Sequence, residues 1–233
     1  MKRLLILVLA IAITAGTTST AGAVTIGSKC VSNSGGPTTM FTTGGSHASS
    51  FQIPFNGILT KWGTDRTMTA NQGKLRALIA RYVGSDMTIV SSSAPSYVWP
   101  ETIGEFNVRI PVVAGDILGI TAFDSEPRMC TTGISADSLS TTGSVALGDT
   151  FTPSSLPGSI TPIWAEIEND ADGDGYGDET QDKCPQSAAS IELCPVLSIG
   201  QLVSSSKGVI NIIATANIDT SLTATATNKV RLK

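Results

Sequence analysis

The chain has 233 residues, with 15 Lys and Arg against 19 Asp and Glu, a single His, four Cys and 23 Gly. Its 27 Ser and 29 Thr place small hydroxyls at about a quarter of all positions, while charged residues reach 15% and aromatics 5%. That balance excludes a basic nucleic-acid binder, which needs clustered Lys and Arg, and a long coiled coil, which needs charged, Leu-rich heptads.

Residues 1–23 read as a targeting device. Met1-Lys2-Arg3 is a short basic start, Leu4 to Ile13 is almost purely apolar, and the run closes on Ala21-Gly22-Ala23. Basic, apolar, then small is the order of a secretory signal peptide, with cleavage expected after Ala23. The apolar run of about ten to fourteen residues is too short for a membrane span, which needs about 20. The mature chain is expected to have no membrane span and to be secreted, extracellular or associated with the cell surface. In that oxidising setting Cys30, Cys130, Cys184 and Cys194 point to two disulfides. Four cysteines permit three pairings. The close spacing of Cys184 and Cys194 favours a local bond, with Cys30–Cys130 as its complement. A zinc site would lack C-x-x-C spacing and would have only His47 as a nitrogen ligand.

Residues 24–168 carry a β signature and are expected to form a β-sandwich, jelly-roll-like in style. Ser32 to Ser50 is dominated by Gly, Ser and Thr and reads as irregular surface chain. Strands are expected at Ser50–Phe55, Ile58–Trp62, Met87–Ser91, Phe106–Val113, Ile117–Phe123 and Ile160–Ile167, separated by turn formers such as Gly84-Ser85-Asp86 and Ala114-Gly115-Asp116. Gln72–Val83 is ambiguous. Leu75, Leu78, Ile79 and Tyr82 fall at helical spacing, yet the neighbouring pattern suits a hairpin, and both readings stand.

Residues 169–195 form an acidic linker. Eight acids lie between Glu166 and Asp182 with no Lys or Arg among them. Asp170, Asp172 and Asp174 occupy positions 1, 3 and 5 of a D-x-D-x-D-G loop, Gly175 takes the sharp-turn position, Tyr176 offers its carbonyl, and Asp178 and Asp182 follow. Alternating carboxylates wrap oxygens around one point, as Ca²⁺ requires, and without a cation their mutual repulsion favours extended chain. Magnesium suits the pattern less, because it keeps its waters and takes few carboxylates. Glu168, just outside the loop, is expected to act only through weak, salt-screened attraction.

Beyond Pro195, residues 196–233 return to β-like sequence and form a short or incomplete C-terminal segment. Strands are expected at Val209–Ala214 and Ser221–Thr227, with a third beginning at Lys229-Val230-Arg231-Leu232.

Asp170 to Pro185 resembles a thrombospondin type 3 repeat, whose pattern is D-x-D-x-D-G-x-x-D-x-x-D-N-C-P. By position Asp170, Asp172, Asp174, Asp178, Cys184 and Pro185 match. The spacer Glu179-Thr180-Gln181 is one residue longer and displaces Asp182, so the last ligand is Asp182 or, in its place, Glu179. The resemblance implies an EF-hand-like calcium loop without flanking helices, closed by a disulfide cysteine. More widely, the layout is similar to a group of secreted bacterial proteins in which a signal peptide and a β-sandwich precede such a segment and a short β domain. That likeness implies architecture and calcium, and no activity.

Catalysis is not expected. His47 stands alone in a Gly/Ser loop, and Glu101, Glu105, Asp116, Asp124 and Glu126 are scattered carboxylates with nothing in their spacing that brings two together. The expected role is a secreted, calcium-binding structural or adhesive module that meets a cell-surface or matrix protein or a glycan. The alternatives are a carbohydrate-binding module using Trp62, Trp99 and Tyr97 as aromatic platforms, and a secreted hydrolase.

Overall fold

The computed structural model describes residues 22–69, 71–123, 128–192, 194 and 196, and strand backbone over 197–204 and 210–216. The expected signal peptide therefore lies outside the described residues except for Gly22 and Ala23, as do the strands expected at Ser221–Thr227 and Lys229–Leu232. Asp124 and Glu126 lie outside them as well.

The strands are β1 (Val24–Gly27), β2 (Ser34–Gly35), β3 (Thr39–Gly44), β4 (Gly57–Asp65), β5 (Gly73–Val83), β6 (Asp86–Ser92), β7 (Ser96–Val98), β8 (Ile103–Val112), β9 (Ile117–Ala122), β10 (Arg128–Thr131), β11 (Ser138–Thr142), β12 (Thr150–Phe151), β13 (Ser154–Pro157), β14 (Ser159–Ile160), β15 (Trp164–Glu168), β16 (Leu197–Ser204) and β17 (Ile210–Ala216). The fold is all-β. A four-stranded sheet runs β1-β15-β4-β8, and an eight-stranded sheet runs β12-β6-β5-β9-β3-β11-β13 with β7 also on β5. Between them lies one apolar core. The smaller sheet contributes Ile26, Leu59, Trp62, Ile110 and Ile167, and the larger contributes Met40, Leu75, Ile79, Leu118 and Ile120. Two sheets packed over an interleaved apolar layer make a sandwich. A small sheet of β14, β10 and β2 closes one side, and β16 pairs with β17.

Gln72–Val83 resolves as the strand β5. Its helix-like spacing arises because both faces are buried, with Leu75, Ala77 and Ile79 in the main core and Leu78 and Ala80 in a second cluster with Phe41, Met87 and Ile117. A strand buried on both sides loses the simple alternation that marks a half-buried one.

Three sequence expectations are corrected. Ser32–Ser50 is not irregular throughout, because Thr39–Gly44 is the strand β3, paired with β9 and β11. Its threonines enter the interior because their hydroxyls find partners, Thr39 with Thr121 at 2.8 Å and Thr42 with Thr161 at 3.1 Å. Ser50–Phe55 is not a strand. Ala48–Phe51 forms a single 3₁₀ turn and only Gln52 makes a bridge, to Ile117. Pro54 has no N–H to offer a ladder, although Phe51 and Ile53 still enter the core. Ile160–Ile167 is split at Pro162 into β14 and β15, which join different sheets.

Both expected disulfides are present, Cys30–Cys130 and Cys184–Cys194. Among the described residues, no helix is long and apolar enough to cross a membrane.

Candidate metal centre

The acidic segment leaves the smaller sheet directly from β15. Its first ten residues close into a loop, in which Asp178 N–H donates to the Asn169 carbonyl at 2.9 Å and Ala171 N–H donates to Asp178 Oδ1 at 3.1 Å. Inside, each aspartate uses a carboxylate oxygen to hold nearby backbone. Asp170 accepts from Gly173 N–H (2.9 Å) and Gly175 N–H (3.1 Å), Asp172 from Asp174 N–H (3.2 Å), and Asp174 from Tyr176 N–H (2.9 Å). Gly173 and Gly175 sit at φ of +77° and +86°, a left-handed region that side chains resist. The turn residues and the carboxylates therefore specify one loop path.

That path brings Asp170, Asp172 and Asp174 together, with one oxygen from each within 4.8 Å of the others. Asp182 arrives from the following turn, in which Gln181 and Asp182 N–H groups donate to the Gly177 carbonyl. It is buried, and Oδ1 accepts from Cys184 N–H at 2.7 Å. The second oxygens of Asp172, Asp174 and Asp182 are buried without a hydrogen-bond partner. Buried carboxylate oxygens without partners are costly. Burial raises the Asp178 pKa, and the charges of Asp170, Asp172 and Asp182 raise it further, against the opposing Ala171 N–H.

The other sequence candidates separate. Glu179 is turned away, accepting from Ala23 N–H at 2.7 Å. The Tyr176 ring lies under the Arg109 guanidinium, 4.1 Å from it. The Cys184–Cys194 bond follows at once, with Lys183 N–H donating to the Ile191 carbonyl at 2.9 Å.

Glu168 does more than the weak, screened attraction expected of it. Its side chain is buried and accepts four hydrogen bonds: Thr60 Oγ1 (2.9 Å) and Thr180 Oγ1 (2.6 Å) on Oε1, and Glu179 N–H and Thr180 N–H (both 2.9 Å) on Oε2. Gly177 permits this closeness, since a Cβ there would fall 2.5 Å from Glu168 Oε2 and 2.6 Å from a Thr60 carbon. Gln181 adds a bond to the Val108 carbonyl at 2.6 Å. The acidic segment is thus docked on β4, β8 and β15. The only sequence sign was a Glu at the end of a strand, because Thr60 is 108 residues away.

His47 is not simply exposed. Its Nδ1 lies 3.0 Å from Oδ1 of the buried Asp137, whose pKa is lowered chiefly by that hydrogen bond, against burial. Ser46 Oγ sits 3.3 Å from the same nitrogen, whereas a catalytic triad places its serine on the opposite one. Asp116 is bound by Arg81 at 2.7 and 2.9 Å. Trp62 is fully buried against Phe106, which removes it as a sugar platform.

No family model matches the chain, and no curated protein or solved structure compared with it matches.

Proposed function

We propose that this chain is a secreted, non-catalytic structural or adhesive module whose acidic segment binds calcium. The observation that carries the reading is the grouping of carboxylate oxygens from Asp170, Asp172 and Asp174, with second oxygens on Asp172, Asp174 and Asp182 that are buried without a partner. A cation would supply the missing partner to all of them at once. An all-oxygen donor set suits a hard cation. Asp170, Asp172, Asp174 and Asp182 would hold the ion, with the Tyr176 carbonyl and Asp178 completing the set. Asp182 is preferred to Glu179, because its second oxygen is buried without a partner. Bound calcium would neutralise the repulsion within the loop and stiffen it on the sheet to which Glu168 ties it. Its role is structural, and the disulfides fit an extracellular setting.

Calorimetric titration tests the reading. Calcium should bind the full chain with a Kd on the order of 0.1–1 mM, as extracellular modules do. Asp172→Ala and Asp174→Ala should each weaken binding by about tenfold or more, through loss of a charge and a direct oxygen. Calcium should also slow proteolysis near Tyr176. Equal binding by wild type and Asp172→Ala, or equal cleavage with and without calcium, would reduce the segment to an ordinary acidic loop.

A further inference from the structure

Two independent observations meet at the start of β1. In the sequence, Ala21-Gly22-Ala23 closes the expected leader, with cleavage after Ala23. In the fold, β1 begins at Val24, which pairs with Ile167 of β15. The first strand therefore starts at the residue that cleavage would make the N-terminus.

Glu179 of the acidic segment stands at the same place. Its Oε2 accepts from Ala23 N–H at 2.7 Å, across 156 residues of chain. A Cβ on Gly22 would lie 3.4 Å from its Oε1. A fixed turn presents this carboxylate. Glu179 N–H donates to Glu168 Oε2 at 2.9 Å, and Thr180 bonds both oxygens of the same side chain. No Lys or Arg lies between Glu166 and Asp182, and none of the ion pairs among the described residues involves Glu179.

We infer that Glu179 is the docking site for the N-terminal ammonium set free when the leader is removed, a clasp that only the processed chain can close. The clasp rests on the secreted reading proposed above, since it needs the leader to be cut. A leader peptidase adds water across the Ala23–Val24 amide. The water oxygen goes to the Ala23 carbonyl carbon and both hydrogens to the Val24 nitrogen, giving a carboxylate on the leader and an ammonium on Val24. Cleavage thus takes away the neutral Ala23 N–H that Glu179 held. It leaves a cation with three donors one residue along, about 3.8 Å in Cα spacing, within reach of a Glu side chain. A charge-assisted bond of this kind is about twice as strong as a neutral one. β1 is a four-residue strand at the edge of its sheet, and chain ends stay ordered only where something ties them down. In the processed chain the acidic segment is tied to this sheet twice, to β4 and β15 through Glu168 and to β1 through Glu179.

The test uses the chain exported from a secreting host with its own leader, in calcium-free buffer. N-terminal sequencing should return Val24, and a different first residue overturns the clasp through its cleavage site. An aminopeptidase should trim Glu179→Gln about two- to fivefold faster than wild type, the range of an exposed ion pair. In about 1 M salt, which screens charges beyond a few ångströms, that difference should largely vanish. A second chain carries Gly-Ser-Gly-Ser between Ala23 and Val24, which restores a neutral N–H before Val24 and moves the ammonium away. In urea unfolding, Glu179→Gln should shift the folding equilibrium about two- to fivefold in the Val24 chain. It should leave the extended chain nearly unchanged, because a Gln carbonyl still accepts from a neutral N–H. Equal shifts in the two chains, or equal trimming of wild type and variant, would overturn the clasp. Calcium titration reads the proposed metal site separately: Glu179→Gln should keep its Kd within about threefold of wild type, having lost no direct ligand. A tenfold loss would make Glu179 a calcium ligand and overturn its role at the N-terminus.

Discussion

Glu168 occupies both carboxylate oxygens with donors from two distant parts of the chain, Thr60 in β4 and the Glu179–Thr180 turn. Replacing it by Gln keeps the shape but turns an N–H₂ toward groups that are themselves donors. The expected cost is about 2–3 kcal/mol in urea unfolding of the calcium-free protein at neutral pH, the scale of hydrogen bonds to a charged group. The cost also depends on pH. Burial alone would raise the Glu168 pKa, but the donors from Thr180, Thr60 and Glu179 outweigh it and hold the carboxyl below its ordinary value. A folded pKa below the unfolded one stabilises the native state above the unfolded value and loses that contribution as pH falls through the folded one. The stability gap between wild type and Glu168→Gln should therefore narrow on acidification. A gap that stays constant from pH 7 to pH 3 would show that the carboxylate charge is not what holds the acidic segment.

At the scale of elements, the larger sheet depends on close approach between β3 and β9. Gly119 stands opposite Phe41, and a Cβ on Gly119 would come within 2.2 Å of the Phe41 ring. Gly119→Ala should cost about 1–3 kcal/mol or more by overpacking. Phe41→Leu in the same chain should recover part of that loss in a double-mutant cycle. Additive losses would place the strain elsewhere. These strands also show what a sequence can and cannot disclose. The short apolar runs that became β6, β8 and β9 were legible because Val, Ile and turn formers marked them. The strand β3 was hidden, since buried threonines that pair with Thr121 and Thr161 read locally like a loop. The acidic loop was legible residue by residue, because its carboxylates and turn glycines are consecutive in the chain. Its docking on the sheet was not, because Thr60 and Val108 come from far upstream.

For the whole molecule, β16 and β17 pair with each other as a separate two-stranded sheet, and such hairpins are marginal alone. A chain ending at Pro195 should keep the cooperative melt of the full chain. Loss of that cooperativity would make the hairpin part of the sandwich. The Cys30–Cys130 bond closes a separation of 100 residues, which chain-entropy arithmetic values at about 4–5 kcal/mol. Cys30→Ser with Cys130→Ser should lower stability by that order in denaturant unfolding. The same bond reroutes mechanical load. Tension applied between the two ends has a covalent path from Cys30 to Cys130, so the chain from β2 through β9 cannot be drawn out while the bond holds. The separation of 100 residues corresponds to about 330–360 Å of extended chain that cannot pay out while the bond holds. Under tension, the chain would lengthen only by its flanks. Single-molecule pulling should release that hidden length only after reduction.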